Sequence, residues 1–235
     1  MAANYLYTID WERYYRIYDT VHQMLSDRGF DPVKPQLSLA DWKSNIVGVL
    51  SELEDPDTVT NAFEIIDSLE CFFKKRRPRQ KSDPRLMHVY FYPLDTKLTQ
   101  QEFHYVYVRM QDAAAQQLLI VVNTSPTPKV TSMLNNMGNN AQIFTEQELS
   151  FNITRHQLVP KHIRVDAEER NTVLQTYTIK DGIEHSEWLP GLHTIDPICK
   201  YYNWVSGDII RIERPRKDGF VNITYRIVTQ PLSEK

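Results

Sequence analysis

Apolar positions near the start of the chain recur three and four residues apart. Trp11, Tyr14, Tyr15, Tyr18, Val21 and Leu25 form one stripe, which predicts a helix over Trp11–Asp27. Gly29 supplies a stop just past the last turn, and Pro32 and Pro35 keep the helix from resuming. A capping-box pattern at Ser38-Leu-Ala-Asp41 starts a second helix, with Leu39, Trp42, Ile46, Leu50 and Leu53 on one side and Asp55-Pro56 as its end. Positions 58–67 give no single reading.

Positions 69–73 and 87–92 are rich in aromatic and apolar residues and predict two strands around a basic loop. Thr99-Gln-Gln-Glu102 is a second capping box and predicts a helix through Gln117, with Phe103, Val106, Met110 and Ala114 inward. The β-branched and aromatic residues at 105–108 argue for a strand there, so both readings stand. Leu118 to Val122 is a continuous apolar run, the mark of a strand covered on both faces. Pro126 and Pro128 introduce a short helix ending near Gly138, and Ile143-Phe144 predicts a returning parallel strand. Such βαβ order makes residues 1–148 an α/β domain.

From residue 149 the pattern shifts to a smaller α+β unit, 149–235. Asp166-Ala-Glu-Glu169 caps a helix reaching about Tyr177, and a polar connection runs on to Leu192. Asp196-Pro197 reads as N-cap followed by an N1 proline, for a short helix through Tyr202. Gly207-Asp208 opens a strand over 209–214. Asp218-Gly219 marks a turn into a strand over 220–228, where Val221, Ile223, Tyr225 and Ile227 alternate to one face. The expectation is a β-hairpin backed by two helices.

Composition narrows the function classes. With 41% hydrophobic and 24% charged residues, the 235-residue chain reads as an ordinary soluble globular protein, long enough for two modest cores. No apolar run approaches the ~18 residues of a membrane span, and the N-terminus lacks the pattern of a secretory signal. Cys71 and Cys199 are far apart and fit reduced thiols better than a disulfide framework. The sequons at Asn123, Asn152 and Asn222 read as chance matches in the absence of a secretory route.

Net charge is −3, but its distribution says more than its sum. Acids at Glu52, Glu54, Asp55, Asp57, Glu64, Asp67 and Glu70 meet no Lys or Arg between positions 51 and 73; then come Lys74, Lys75, Arg76, Arg77, Arg79 and Lys81. A solvated linker, a nuclear-import patch and a phosphate-contacting loop all fit that basic run. Phosphate contact would be non-specific and would weaken steeply with salt.

Ile143-Phe144, Glu148-Leu149 and Asn152-Ile-Thr-Arg-His156-Gln-Leu158-Val159-Pro160-Lys-His162 closely resemble a signature of the fifth-largest common subunit of eukaryotic nuclear RNA polymerases, which has a shorter archaeal counterpart. The resemblance continues in order through Asp196-Pro197, Tyr201-Tyr202, Gly207-Asp208, Ile210-Arg-Ile212, Arg214-Pro215 and Tyr225-Arg226-Ile-Val228. Upstream it is thinner: Asp27-Arg28-Gly29-Phe30, Tyr90-Phe-Tyr-Pro93, Arg109-Met110, Leu119 to Val122, and Thr127-Pro128. This order resembles the two-domain eukaryotic form. Positions 44–86 are longer than the family's, Arg216 stands where it usually has serine, and Tyr202-Asn203-Trp204 replaces Tyr-Phe-Gly. These departures fit a divergent lineage or a polymerase-specific paralogue.

The resemblance implies an α+β chain: an N-terminal nuclease-like layered α/β jaw domain beside downstream duplex DNA, and a small C-terminal α+β domain with a mixed sheet and two helices. It implies a non-catalytic subunit docked on the largest subunit, working in the nucleus, or in a virion or host cell if a large DNA virus encodes it. Docking would fall to His156, Leu158, Val159, Pro160, His162, Asp196, Pro197, Tyr201, Arg214, Pro215, Tyr225 and Arg226. Spacing alone favours structural histidines at His156 and His162, and the surrounding motif brings the docking reading level with that one. Tyr225 and Arg226 alternate across a strand, so at most one faces the core, and Arg226 is expected to face the partner. DNA-proximal candidates are the six basic residues above with Thr127, Pro128 and Lys129. A free-standing DNA-binding or adaptor protein on the same fold is the alternative.

Enzymatic chemistry is poorly served. Metal-dependent phosphodiester cleavage needs two or three carboxylates and a lysine at strand ends, whereas the candidate strands carry only Glu70 and His88, and Cys71-Phe72 follows the acid. There is no C-x-x-C for zinc, and no Walker, G-x-S-x-G or G-x-G-x-x-G motif. The expectation is no metal, no cofactor, no small-molecule substrate and no membrane.

Overall fold

A computed structural model describes residues 10–52, 70–77, 85–92, 96–176 and 189–230. The fold is α+β, in two compact units, Met1–Phe151 and Asn152–Lys235. Expectations at 58–67, and for the end of the second helix at Asp55-Pro56, lie outside the described residues.

In the first unit, α1 (Trp11–Asp27) starts where Asp10 Oδ1 accepts the backbone N–H groups of Glu12 and Arg13. It stops at Gly29, whose φ of +80° suits a residue without Cβ. Next come β1 (Phe30–Pro32), α2 (Leu39–Glu52), β2 (Cys71–Lys75), β3 (Leu86–Tyr92), α3 (Gln100–Asp112), β4 (Gln117–Val122), α4 (Pro128–Met137) and β5 (Ala141–Thr145). The sheet order is β1-β2-β3-β4-β5; the first three strands pair antiparallel and the last three parallel.

Strand parity separates the two faces of this sheet. Phe73 and Phe91 meet His22, Tyr14 and Tyr18 of α1 on one side. Tyr90, Tyr92, Leu118, Ile120 and Val122 pack with Phe103, Val106 and Met110 of α3 and Val130 and Leu134 of α4 on the other. Helices on both faces explain why β4 is apolar without alternation: every residue from Leu118 to Val122 is buried.

The structure corrects several sequence expectations. Helix α3 forms from its capping box as expected, but it ends at Asp112, not at Gln117. A Schellman closure stops it: Ala115 N–H reaches Met110 O, Ala114 N–H reaches Gln111 O, and Ala114 sits at φ +53°. Alanine gives no warning of that turn, since its left-handed conformation costs about 1–2 kcal/mol and glycine usually takes the place. Ala114 is therefore exposed rather than inward. Leu39 of α2 is also exposed, while Trp42 of the same helix is buried against Tyr18.

Strand β2 runs past Phe73 to Lys75, so the first two basic residues belong to a strand and not to a loop. Strand β1 was not expected; it pairs Phe30 with Lys75 and Pro32 with Phe73.

The second unit holds β6 (Lys161–Arg164), α5 (Ala167–Thr176), β7 (Gly191–His193), α6 (Pro197–Tyr202), β8 (Ile209–Pro215) and β9 (Val221–Thr229). Sheet order is β6-β8-β9-β7, with β7 parallel to β9 and the other pairs antiparallel. The expected hairpin is thus the centre of a four-stranded mixed sheet. One face carries Ile210, Ile212 and Val228 against Ile198 and Cys199 of α6; the other sets Ile209 and Ile227 against Val173 of α5.

Candidate interaction surfaces

In the second unit, β6, β8 and β9 bring several expected docking residues onto one sheet face. Register sets His162 opposite Ile212 and Arg226 opposite Ile210, with Arg214 one pleat repeat beyond Ile212. His162 lies in the field of Asp196, Arg214 and Arg226 together. Burial lowers its proton affinity first, the Pro160 carbonyl and Asp196 act the other way, and the two arginines lower it further. Its Nδ1–H donates to Pro160 O at 2.7 Å, which fixes the ring.

Arg226 donates from Nη1 to Gly191 O at 3.0 Å, tying β9 to β7 while its other donors stay available. Arg214 and Pro215 are exposed at the end of β8. Asp196 Oδ1 accepts from Ile198 N–H and starts α6, with Pro197 at its first position.

Other expected docking residues sit elsewhere. Tyr225 occupies the opposite face, where its hydroxyl donates to Glu169 Oε1 at 3.0 Å. Arg211 Nη1 binds the same carboxylate at 2.7 Å and its Nε reaches Glu213. That network clamps α5 to the sheet, and the sequence did not signal it. Tyr201 is only 3% exposed, a core position stacked edge-on with Tyr202. Val159 packs against the Ile210 and Ile212 cluster. His156 accepts Leu158 N–H on its Nδ1 at 3.2 Å, and Leu158 itself is 86% exposed.

In the first unit the basic run is divided by its partners. Lys75 Nζ donates to Arg28 O at 2.9 Å and lies 4.3 Å over the Phe30 ring. Arg76 forms a two-pronged ion pair with Asp31, nearest distance 2.7 Å. Lys74 and Arg77 are exposed, and Arg79 and Lys81 lie outside the described residues. Thr127 is the N-cap of α4, but its hydroxyl turns to Leu98 O at 3.3 Å; Pro128 and Lys129 follow, exposed.

The two residues weighed for nuclease chemistry are joined in a different arrangement. His88, fully buried, stacks on Phe72 and bonds Glu70 Oε2 through Nε2 at 3.0 Å. Arg109 of α3 grips the same carboxylate, Nη2 to Oε1 at 2.6 Å and Nε to Oε2 at 3.1 Å. Burial pulls the Glu70 carboxyl upward, but the bonds and charges of His88 and Arg109 outweigh it and hold it at about 2. An arginine occupies the side of the carboxylate that a cation would need. Among the described residues no three His, Cys, Asp or Glu side chains gather for a metal, and no helix is long and apolar enough to cross a membrane. Both cysteines are free thiols, pushed by burial up to about 12.

In this α+β protein the expected docking residues thus divide between one sheet face, with Arg214 and Pro215 exposed, and core positions such as Tyr201. Residues 151–228 match the family model described as RNA polymerase Rpb5, C-terminal domain. The chain is 30% identical over 220 residues to the Caenorhabditis briggsae protein named DNA-directed RNA polymerases I, II, and III subunit RPABC1, covering 92% of this chain and 95% of that one. Identity is 32% over 187 residues to the Dictyostelium discoideum subunit of the same name, covering 76% of this chain and 92% of that one. An Arabidopsis thaliana DNA-directed RNA polymerase subunit 5-like protein 1 is 27% identical over 221 residues, 91% of this chain and 94% of that one. The chain belongs to the Rpb5 family of RNA polymerase subunits.

Proposed function

We propose that this chain is a non-catalytic subunit of a nuclear multisubunit DNA-dependent RNA polymerase. Its second unit docks on the largest subunit, and its first unit forms part of the jaw beside downstream DNA. The observation that carries the reading is similarity spanning both units: relatives named as subunits shared by RNA polymerases I, II and III align over 92% of the chain. The grouping of His162, Arg214 and Arg226 on one sheet face, with Asp196 near enough to act on His162, supports docking there.

Arg226→Glu tests the docking face. Reversing this charge while Gly191 O keeps its place should lower polymerase recovery on the tagged chain at least about tenfold. Arg226→Lys, which keeps the charge, should bind near the wild-type level. Recovery of the largest subunit by the glutamate variant at the wild-type level, with an unchanged melting profile, removes Arg226 from the interface. A wild-type chain that elutes mostly free of any large complex would instead favour an adaptor protein.

DNA proximity has its own test. Lys75 and Arg76 already serve Arg28 O and Asp31, so at most Lys74, Arg77, Arg79 and Lys81 are left for phosphates. Replacing those four by serine should reduce the salt dependence of duplex binding by the full chain by about 3–4 in log–log slope. Replacing Lys75 and Arg76 alone should change it little. A slope unmoved by the fourfold change ends the DNA role of this run.

A further inference from the structure

The two helices that flank the second unit's sheet are held in different ways. Helix α6 presses Ile198 and Cys199 into the face of Ile210, Ile212 and Val228, where Trp204 adds a further buried ring. Helix α5 sinks one side chain fully, Val173, with Leu174 half-buried beside it. Its sequence gives it little help. Ten residues fall short of the about 12–15 that an isolated helix needs, and Asn171, Thr172, Val173 and Thr176 are weak helix formers. Thr172 and Thr176 also turn their hydroxyls back onto the carbonyls of Glu168 and Thr172, at 3.1 and 2.8 Å.

Polar bonds from the first turn make up the difference. Glu169 accepts Arg211 Nη1 on both oxygens, at 2.7 and 2.8 Å, and the Tyr225 hydroxyl at 3.0 Å. Arg170 donates from Nη1 to Gly207 O at 2.7 Å. Ahead of the helix, Val165 is buried and its N–H donates to Ile209 O at 3.0 Å. The attachment is therefore concentrated at one end, with a fixed point just before Asp166. Release strands no charge: Glu169 passes into water, and Arg211 keeps Glu213 at 3.0 Å.

We propose that α5 is a hinged strap that opens about Asp166 while the sheet and α6 stay folded, with Glu169 as its catch. Opening takes Val173 and Leu174 off Ile209, Tyr225 and Ile227, leaving Val165 and Leu189 on them. Strand alternation puts those residues on the face of Ile223 and Val221, which are already 50% and 55% exposed. The closed strap therefore withholds part of one apolar strip. Its catch is ionic and partly solvated, so the balance between closed and open responds to salt. The inference rests on the second unit alone and is independent of the function proposed above.

Native-state hydrogen exchange of the full chain tests the strap, read on the amides of residues 170–176 against those of β8, β9 and α6. In the wild type, α5 should exchange at least about tenfold faster than β8 and β9, with a weaker urea dependence. Glu169→Gln should speed α5 about tenfold further and leave β8, β9 and α6 within about twofold. Glu168→Gln removes the same charge from the exposed side of the same turn and should leave α5 within about twofold as well. High salt should speed α5 about threefold in the wild type and leave it unmoved in Glu169→Gln. Equal exchange and equal urea dependence of α5, β8 and β9 in the wild type would make the unit one cooperative block and overturn the proposal. It is equally overturned if Glu169→Gln speeds β8, β9 and α6 as much as α5, or leaves α5 unchanged.

Discussion

Glu70→Gln should destabilise the first unit by about 2–3 kcal/mol at pH 7, one of the two largest single-residue effects foreseen for this fold. The carboxylate is the junction between β2, β3 and α3, holding a fully buried His88 on one side and Arg109 on the other. His88 Nε2–H donates to the Glu70 carboxylate, and His88 Nδ1 has no hydrogen-bond partner. Glutamine keeps the shape but removes the charge that both partners bind.

The pH dependence follows from the direction of the shift. The folded carboxyl titrates at about 2, against 4.5 without the fold, so the folded state favours the ionised form. Its contribution is complete above about pH 4.5 and disappears as pH falls toward 2. The glutamine variant should therefore lose its stability at neutral pH and show no further loss from this site in acid. Hydrogen exchange of the full chain, read on the peptides of β3 and α3 across pH, resolves the unit concerned. Wild-type protection in those peptides in the variant at pH 7 would refute the clamp.

His22 controls a separate and higher window. Its ring lies 4.3 Å from Tyr18 and 4.8 Å from Phe73, its Nε2 has no partner, and burial pulls it down to about 4 from 6.5, against a smaller opposite effect of Asp19. An unfolded chain binds the proton first, so stability is full above 6.5 and declines as pH falls toward 4. The wild-type chain should lose about 2 kcal/mol from this group between pH 7 and pH 5. His22→Phe keeps an aromatic ring in the site and removes the titration. Denaturant midpoints of that variant should stay level between pH 7 and pH 5 while the wild-type midpoint drops. A parallel fall in both would mean that another group carries the dependence.

Both sites show why some of the molecule was legible in advance and some was not. Helices α1, α3 and α6 announce themselves through neighbours in sequence: Asp10, the Thr99 and Glu102 pair, and Asp196-Pro197 satisfy end groups within three residues. The buried strand β4 is equally plain, because five apolar residues in a row have few other uses. Strands β1, β6 and β7, at three or four residues, lack any such local mark and exist because a distant strand pairs with them. The end of α3 was missed because alanine stands where glycine normally signals a left-handed turn. On β9 the alternation was read correctly, but α5 covers only its later half.

By itself, then, the sequence determined the α+β class, the capped helices, the buried parallel strand and, through its ordered motifs, the family. Those are set by short-range chemistry, hydrogen-bond caps and hydrophobic period, which a linear reading contains. Only the tertiary structure decided which charges are spent. Asp31 takes Arg76 out of the basic run, Glu70 joins His88 to Arg109 across the sheet, and Glu169 turns Tyr225 inward while Arg226 keeps the other face. These pairings join residues brought close by folding, and a charge is available to a partner only when no such neighbour has already claimed it.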